Sequence, residues 1–354
     1  MTGIDRKLLG LLREALWGGS SDIIVSPKDA GRLIGQADKQ AVAGLIIDLL
    51  IRKDVRMEQQ TLFEAIGYLE RIKHENEQMN REVAMFARLM AETGTDYLVV
   101  KGQTLAVLYP NPNIRMPGDI DFLIYDYQHA YNVLKKNWGV ELPRQMIEKE
   151  FAFLHGKILY ELHTYLIDFG SNKHKRYWEK KLAESKSAAI NIGGEDIKIM
   201  EPTLYAVYIF IHLFFHFVKE GLGLRHLCDW AIMMDHYKNE IDKNQLTDTL
   251  NQLGLLKAFC AFGSILVDEL GMKDFPLPLT EKDKKLQNQI LKDIMRSGNF
   301  GRDKRIVKQV GLRYKIETMV FILKNCLRYY ALAPKEMLLI PYRHMAVNLK
   351  LLKQ

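Results

Sequence analysis

The chain has 354 residues, 48% hydrophobic and 26% charged. This supplies apolar material for a large core and excludes a disordered or low-complexity chain. Its three cysteines (Cys228, Cys260, Cys326) are far apart and odd in number, which excludes a disulfide framework and a CxxC metal knuckle and fits reduced thiols in a cytoplasmic protein. The net charge of +7 is uneven: residues 281–354 hold 17 Lys and Arg against 6 Asp and Glu, a local +11, while the first 280 carry −4. Such a basic block could face a phosphate-rich partner (nucleic acid such as RNA, nucleotide or an anionic membrane), and a solvated helical face rich in Lys and Arg is the favoured reading.

The first 95 residues read as helical. The N-terminal MTGIDRKLLGLLREALWGG places charges in every helical turn and has no continuous apolar run, so it is not read as a signal peptide. Ser26-Pro27 is a helix start, with Ser as N-cap and Pro at the first helical position. Val42, Leu45, Ile46, Leu49 and Leu50 form a stripe of helical period. A long apolar-periodic run from Glu58 to Thr93 contains the polar patch HENEQMNRE (74–82), which predicts one long helix, or two, leaving the core and returning.

The pattern changes at Thr93-Gly94-Thr95. Asp96–Val100 reads as a strand, followed at once by Lys101-Gly102 and a helical turn or two over Gln103–Tyr109. Asp119–Tyr125 is a second strand and Tyr127–Lys136 a helix. Phe151–His155 and Lys157–Leu166 read as strands around Gly156, and Ile190–Met200 as a hairpin turning at Gly193-Gly194. From Glu201-Pro202 the chain is helical to its end. The 15-residue apolar stretch Leu204–Val218, which carries His212 and His216, falls short of the roughly 20 residues that span a bilayer. It reads as a buried core helix, and no transmembrane segment is expected. The expected fold is α+β, with a small mixed-sheet core over 96–200 flanked by helical regions 1–95 and 201–354.

The chemistry concentrates in LVVKGQTLAVLYPNPNIRMPGDIDFLIY (98–125). Asp119 and Asp121, two apart on a strand, project their carboxylates from one face. Like charges held that close repel and raise each other's pKa unless a cation sits between them, and hard oxygen ligands at this spacing suit Mg²⁺. The order strand, Lys101-Gly102, helix aims backbone N–H groups at an anion, and Gly102 permits close approach of the backbone. Gln103 and Thr104 add side-chain donors, and Arg115 lies four residues before Asp119.

This segment resembles the nucleotidyltransferase superfamily in its glycine turn, helix and Asp-x-Asp on the following strand. The pattern K-G…Y-P…R…G-D-I-D (Lys101, Gly102, Tyr109, Pro110, Arg115, Gly118, Asp119, Ile120, Asp121) is similar to an uncharacterised bacterial nucleotidyltransferase family. That family is related to the aminoglycoside and lincosamide nucleotidyltransferases. The superfamily usually has Gly-Ser or Gly-Gly at the turn; this chain has Gly102-Gln103-Thr104, with Thr104 placed to do the serine's work one position later. The resemblance implies transfer of a nucleoside monophosphate from an NTP such as ATP to an acceptor hydroxyl, releasing pyrophosphate. Asp119 and Asp121 would hold two Mg²⁺ ions, with Lys101, Gly102, Gln103, Thr104, Arg115 and Gly118 around the nucleotide. A third carboxylate is expected on a neighbouring strand. In ILYELHTYL (158–166) the alternation sets Glu161 and His163 on one face, with Glu161 as metal ligand or acceptor base and His163 as a candidate substrate contact.

His212 and His216 have an i, i+4 spacing that can hold a metal. The adjacent His-Asp pair of an HD-type phosphohydrolase is missing, because Leu227 and Cys228 separate His226 from Asp229. Both are therefore read as core histidines, with Asp229 pairing Arg225 one turn away. GLGLRHLCDW (221–230) resembles the family's second half and offers Arg225 as a substrate contact. Three functions stay open: nucleotidylation of a sugar-like or natural-product-like small molecule, nucleotidylation of RNA or protein through the basic block, and a nucleotide-binding scaffold without turnover. Motifs do not choose among them, because acceptor selection resides in the helical flanks.

Overall fold

In a computed structural model, which describes residues 1–141, 143, 150–279, 283–299 and 312–351, helices enclose a small mixed sheet. The densest part of the basic block, 300–311, lies outside the described residues.

Helix α1 (Gly3–Trp17) starts with a reciprocal capping box between Thr2 and Asp5. Helix α2 (Pro27–Lys39) starts as its Ser26-Pro27 signal requires, with the Ser26 hydroxyl accepting from Asp29 N–H. After α3 (Ala43–Arg52) comes α4 (Gln59–Glu92), a single helix of 34 residues. The polar patch does not break it, because part of the patch points inward. Asn76 is fully buried, and its amide donates to the carbonyls of Ile72, Asn113 and Arg115 at 2.8–3.0 Å. Buried amides are tolerated where such partners exist.

Four strands, β1 (Tyr97–Val99), β2 (Ile120–Ile124), β3 (Glu150–His155) and β4 (Ile158–His163), pair in the order β1-β2-β4-β3. β2 and β4 run parallel with Asp121 opposite Glu161; the other two pairings are antiparallel. Ile120, Phe122, Ile124, Tyr160 and Leu162 face α4, where Val83, Phe86 and Met90 close a core. Phe86 and Phe122 pack with ring centroids 4.4 Å apart. The opposite face carries Leu98, Asp121 and Leu123, of which the two leucines join the main helical core. Helix α5 (Gln103–Ala106) follows β1, and α6 (Tyr127–Trp138) follows β2. The hairpin β5 (Ala188–Ile192) and β6 (Glu195–Ile199) turns at Gly193 and Gly194.

Helices α7 (Asn172–Glu184), α8 (Pro202–Lys219), α9 (Leu224–His236), α10 (Lys243–Gln252), α11 (Leu256–Asp268), α12 (Lys284–Ser297), α13 (Leu312–Arg328) and α14 (Pro334–Leu351) complete the fold. By length and composition α8 could cross a membrane, yet 78% of it is buried inside this protein. Phe210 at its centre packs on Phe214, Trp230 and Phe259. Its hydrophobicity is that of a helix apolar all round because it is surrounded. Glu336 of α14 is buried against the start of α7, accepting from Gly170 N–H, Ser171 N–H and the His174 ring.

Candidate active site

β1 ends in Lys101-Gly102. Gly102 has φ +74°, and a Cβ there would lie 2.9 Å from the Asp119 carbonyl oxygen. Both the left-handed conformation and the close approach require glycine. The turn folds Lys101 back over β2, so that its ammonium lies 2.9 Å from Asp121 Oδ1 and 4.0 Å from Asp119 Oδ1. One cation beside the Asp pair is thus supplied by the protein itself.

Asp121 is fully buried. Its Oδ1 also lies 3.0 Å from His163 Nε2, while its Oδ2 has no hydrogen-bond partner. His163 sits 3.8 Å from Glu161 Oε2 and, through Nδ1, 3.4 Å from Glu150 Oε2. Ligand atoms of Asp121, Glu161 and His163 fall within 4.8 Å of one another. The β2–β4 register explains this: Asp121 is opposite Glu161, and one period of two later His163 shares the face.

Burial disfavours charge on Asp121, but Lys101 and His163 outweigh it and hold the carboxyl well below the usual carboxylate range. Burial and then the Asp121 charge push Asp119 up. Burial, Asp121 and Asp119 together push Glu161 up to about 8. Burial opposes the charge on Lys101, while Asp121 and Asp119 more than compensate and raise its pKa. Thus three carboxyl groups and one ammonium share a site short of positive charge. An unpartnered carboxylate oxygen beside an elevated Glu is what a divalent cation would satisfy, and the donor set fits Mg²⁺ or a similar hard ion.

The other candidate residues are distributed less simply. Gly102 and Gly118 line a small cavity together with Lys101, Asp119, Arg115 and Arg225. The side chains of Gln103 and Thr104 turn away from it. Gln103 donates to Asn80 of α4 at 2.6 Å, and the Thr104 hydroxyl meets the Tyr205 hydroxyl at 2.8 Å. Because α5 is a single turn, an anion here would be met by the N–H groups of the Gly102 turn rather than by a helix dipole. Arg115 is buried in a two-bond pair with Asp229 at 2.7 and 2.8 Å, and Tyr109 donates to the same carboxylate. This corrects the expected Arg225–Asp229 pair: Asp229 belongs to Arg115, and Arg225 Nη1 donates instead to the carbonyls of Met116 and Pro117, both at 3.3 Å. His212 and His216 contact one another through their Nε2 atoms at 3.1 Å. Their helix borders the cavity, which His212 and His226 also line.

Sequence reading missed Glu150, Asn76, Asn80 and Tyr205. None carries a motif; only the packing of β3, α4 and α8 against the site reveals them.

A mixed sheet that aligns Asp-x-Asp with a glutamate on the parallel neighbour, next to a glycine turn, defines a nucleotidyltransferase-type core. The family comparison agrees: the model of the uncharacterised nucleotidyltransferase family matches residues 26–270, and the chain belongs to that family. A comparison with curated proteins finds no match. Among solved structures, the chain is similar to an antigenic nucleotidyltransferase-like protein from Paracoccidioides brasiliensis, with 16% identity and a TM-score of 0.35 over 56% of this chain and 94% of that one.

Proposed function

We propose that the protein transfers a nucleoside monophosphate from an NTP to a hydroxyl of a small-molecule acceptor, with release of pyrophosphate. The observation that carries this reading is the Asp121–Glu161–His163 cluster with its unpartnered Asp121 Oδ2, in a chain of a nucleotidyltransferase family. Asp119, Asp121 and Glu161 are the residues that would hold two Mg²⁺ ions, which when bound neutralise the triphosphate and stabilise charge developing at the α-phosphorus. His163 holds Asp121 Oδ1 by its Nε2 and so orients the carboxylate. Glu161, on the exposed side of the cluster, takes the proton of the acceptor hydroxyl as that oxygen bonds to the α-phosphorus. The bond from the α-phosphorus to the bridging oxygen breaks, and pyrophosphate leaves with its electron pair. Lys101 and the Gly102 turn hold phosphate oxygens; Arg115, committed to Asp229, holds the loop that presents Gly118 and Asp119.

The cleft beside Asp119 sets apolar side chains among a few charged ones, a mixture typical of small-ligand sites, and this favours a small-molecule acceptor over a polymer. The three free cysteines support a cytoplasmic setting, and the kinship with aminoglycoside and lincosamide nucleotidyltransferases is part of the same reading. Screening the four NTPs against metabolite pools for pyrophosphate release tests it. Release that depends on Mg²⁺ and vanishes in Asp121→Asn is expected. No release with any NTP and any pool, from folded protein, contradicts it.

A further inference from the structure

The helical wall of the cavity holds a cation, Arg225, that makes no salt bridge among the described residues. Among the described residues, every other cationic side chain lining it has an acidic partner: Lys101 has Asp121, and Arg115 has Asp229. Arg225 has none. Its guanidinium uses Nη1 alone, on the carbonyls of Met116 and Pro117, and its Nε and Nη2 make no hydrogen bond among the described residues. A guanidinium carries five donors in a planar fork suited to two oxygens of one anion.

Its placement is built rather than accidental. Helix α9 is pinned at its first residues by Gln40, which accepts from Leu224 N–H through its side chain and from Arg225 N–H through its carbonyl, at 3.1 and 3.2 Å. The two carbonyls of the 116–117 segment then fix the guanidinium beside Gly118, where a Cβ would come within 3.7 Å of Nη1. Leu105, Ile209 and Leu213 supply apolar surface to the same cavity. Most ligand sites combine apolar lining with a few fixed polar groups. Burial and Arg115 oppose the charge on Arg225, while Asp229 and Asp119 favour it only from beyond salt-bridge distance, so an anion held at its free donors would stabilise it.

We propose that this cavity binds a small molecule through an anionic group, a phosphoryl or carboxylate, that Arg225 recognises with its free donors. The proposal rests on the nucleotidyl-transfer reading for its setting, and the anion has two sources there: the pyrophosphate portion of the nucleotide, or an acidic substituent of the acceptor.

Phenylglyoxal labelling of the intact protein, read residue by residue by mass spectrometry, tests this without a substitution. Inorganic pyrophosphate, glucose 6-phosphate and benzoate are the anionic probes; glucose and benzamide are the neutral controls. Arg225 is expected to be labelled, and to be protected by at least one anion and by neither control. Protection by pyrophosphate alone assigns the anion to the nucleotide. Protection by glucose 6-phosphate or benzoate without pyrophosphate assigns it to the acceptor. No labelling of Arg225, no protection, or equal protection by the neutral compounds overturns the proposal. Arg225→Gln should then weaken binding of the protecting anion by about tenfold or more, with Arg225→Lys intermediate; unchanged binding in either folded variant overturns it too. The two readings fail separately. An enzyme that releases pyrophosphate while its Arg225 stays unprotected loses only this inference, whereas a protein that protects Arg225 but never turns over loses only the transfer reaction.

Discussion

Arg115 and Arg225 play different roles although both donate to the Met116 carbonyl. Arg115 forms a buried two-bond pair with Asp229 across 114 residues of sequence. Removing one partner of such a pair leaves the other charged and desolvated. Arg115→Ala is therefore expected to cost about 3–5 kcal/mol in stability, measured by urea denaturation; a loss below about 1 kcal/mol would place the pair among surface ion pairs instead. Strand alternation pairs Asp119 with Asp121 and Glu161 with His163, and the resemblance, not alternation, points to a third carboxylate on a neighbouring strand; the parallel β2–β4 register brings Asp121, Glu161 and His163 together. The sequence could not expose the partner of Arg115. Local spacing offered Arg225 to Asp229, one turn away on the same helix, and the true partner came from a loop brought in by tertiary packing. The turn of Gln103 and Thr104 away from the cavity was hidden for the same reason: their partners, Asn80 and Tyr205, lie on α4 and α8.

Among the elements, α4 does two jobs along its length. Its first half packs with the N-terminal helices through Ala65 and Leu69, and its second half closes the sheet core through Val83, Phe86 and Met90. The polar patch between them marks the change of neighbour. Asn76→Leu should leave the carbonyls of Asn113 and Arg115 without their buried donor and cost about 1–3 kcal/mol. Thermal and denaturant unfolding of the variant check this, and an unchanged midpoint would show that water replaces the amide freely. Strand positions were legible to within a residue or two: Asp96–Val100 became Tyr97–Val99, and Asp119–Tyr125 became Ile120–Ile124. Lys157–Leu166 shortened more, to Ile158–His163, because pairing with β2 and β3 ends there. Whether α4 was one helix or two was not legible, since a buried asparagine and a solvated one look alike in sequence.

At the scale of the whole molecule, the site lies where the sheet meets the helical body, so global stability and the site share groups. His226 is held well below its ordinary pKa of 6.5, first by burial and then by the positive charge of Arg225. The unfolded chain takes up that proton before the folded one does. The contribution is therefore present above pH 6.5 and lost progressively as pH falls from there toward the folded value, with a slope of up to about 1.4 kcal/mol per pH unit. Urea denaturation between pH 7 and 5 should show this decline in wild type and a shallower one in His226→Gln; parallel profiles would remove His226 from the account.

If Asp121 anchors a metal–nucleotide site, as proposed, calorimetric titration of ATP, GTP, CTP and UTP with and without Mg²⁺ will show it. Asp121→Asn removes one negative ligand at nearly constant size, beside a lysine and a histidine that remain. Wild type is predicted to bind at least one nucleotide in a Mg²⁺-dependent manner, and Asp121→Asn to lose that dependence, while both proteins stay folded. Equal Mg²⁺-dependent affinity in the two proteins, or no nucleotide bound by wild type, would contradict it.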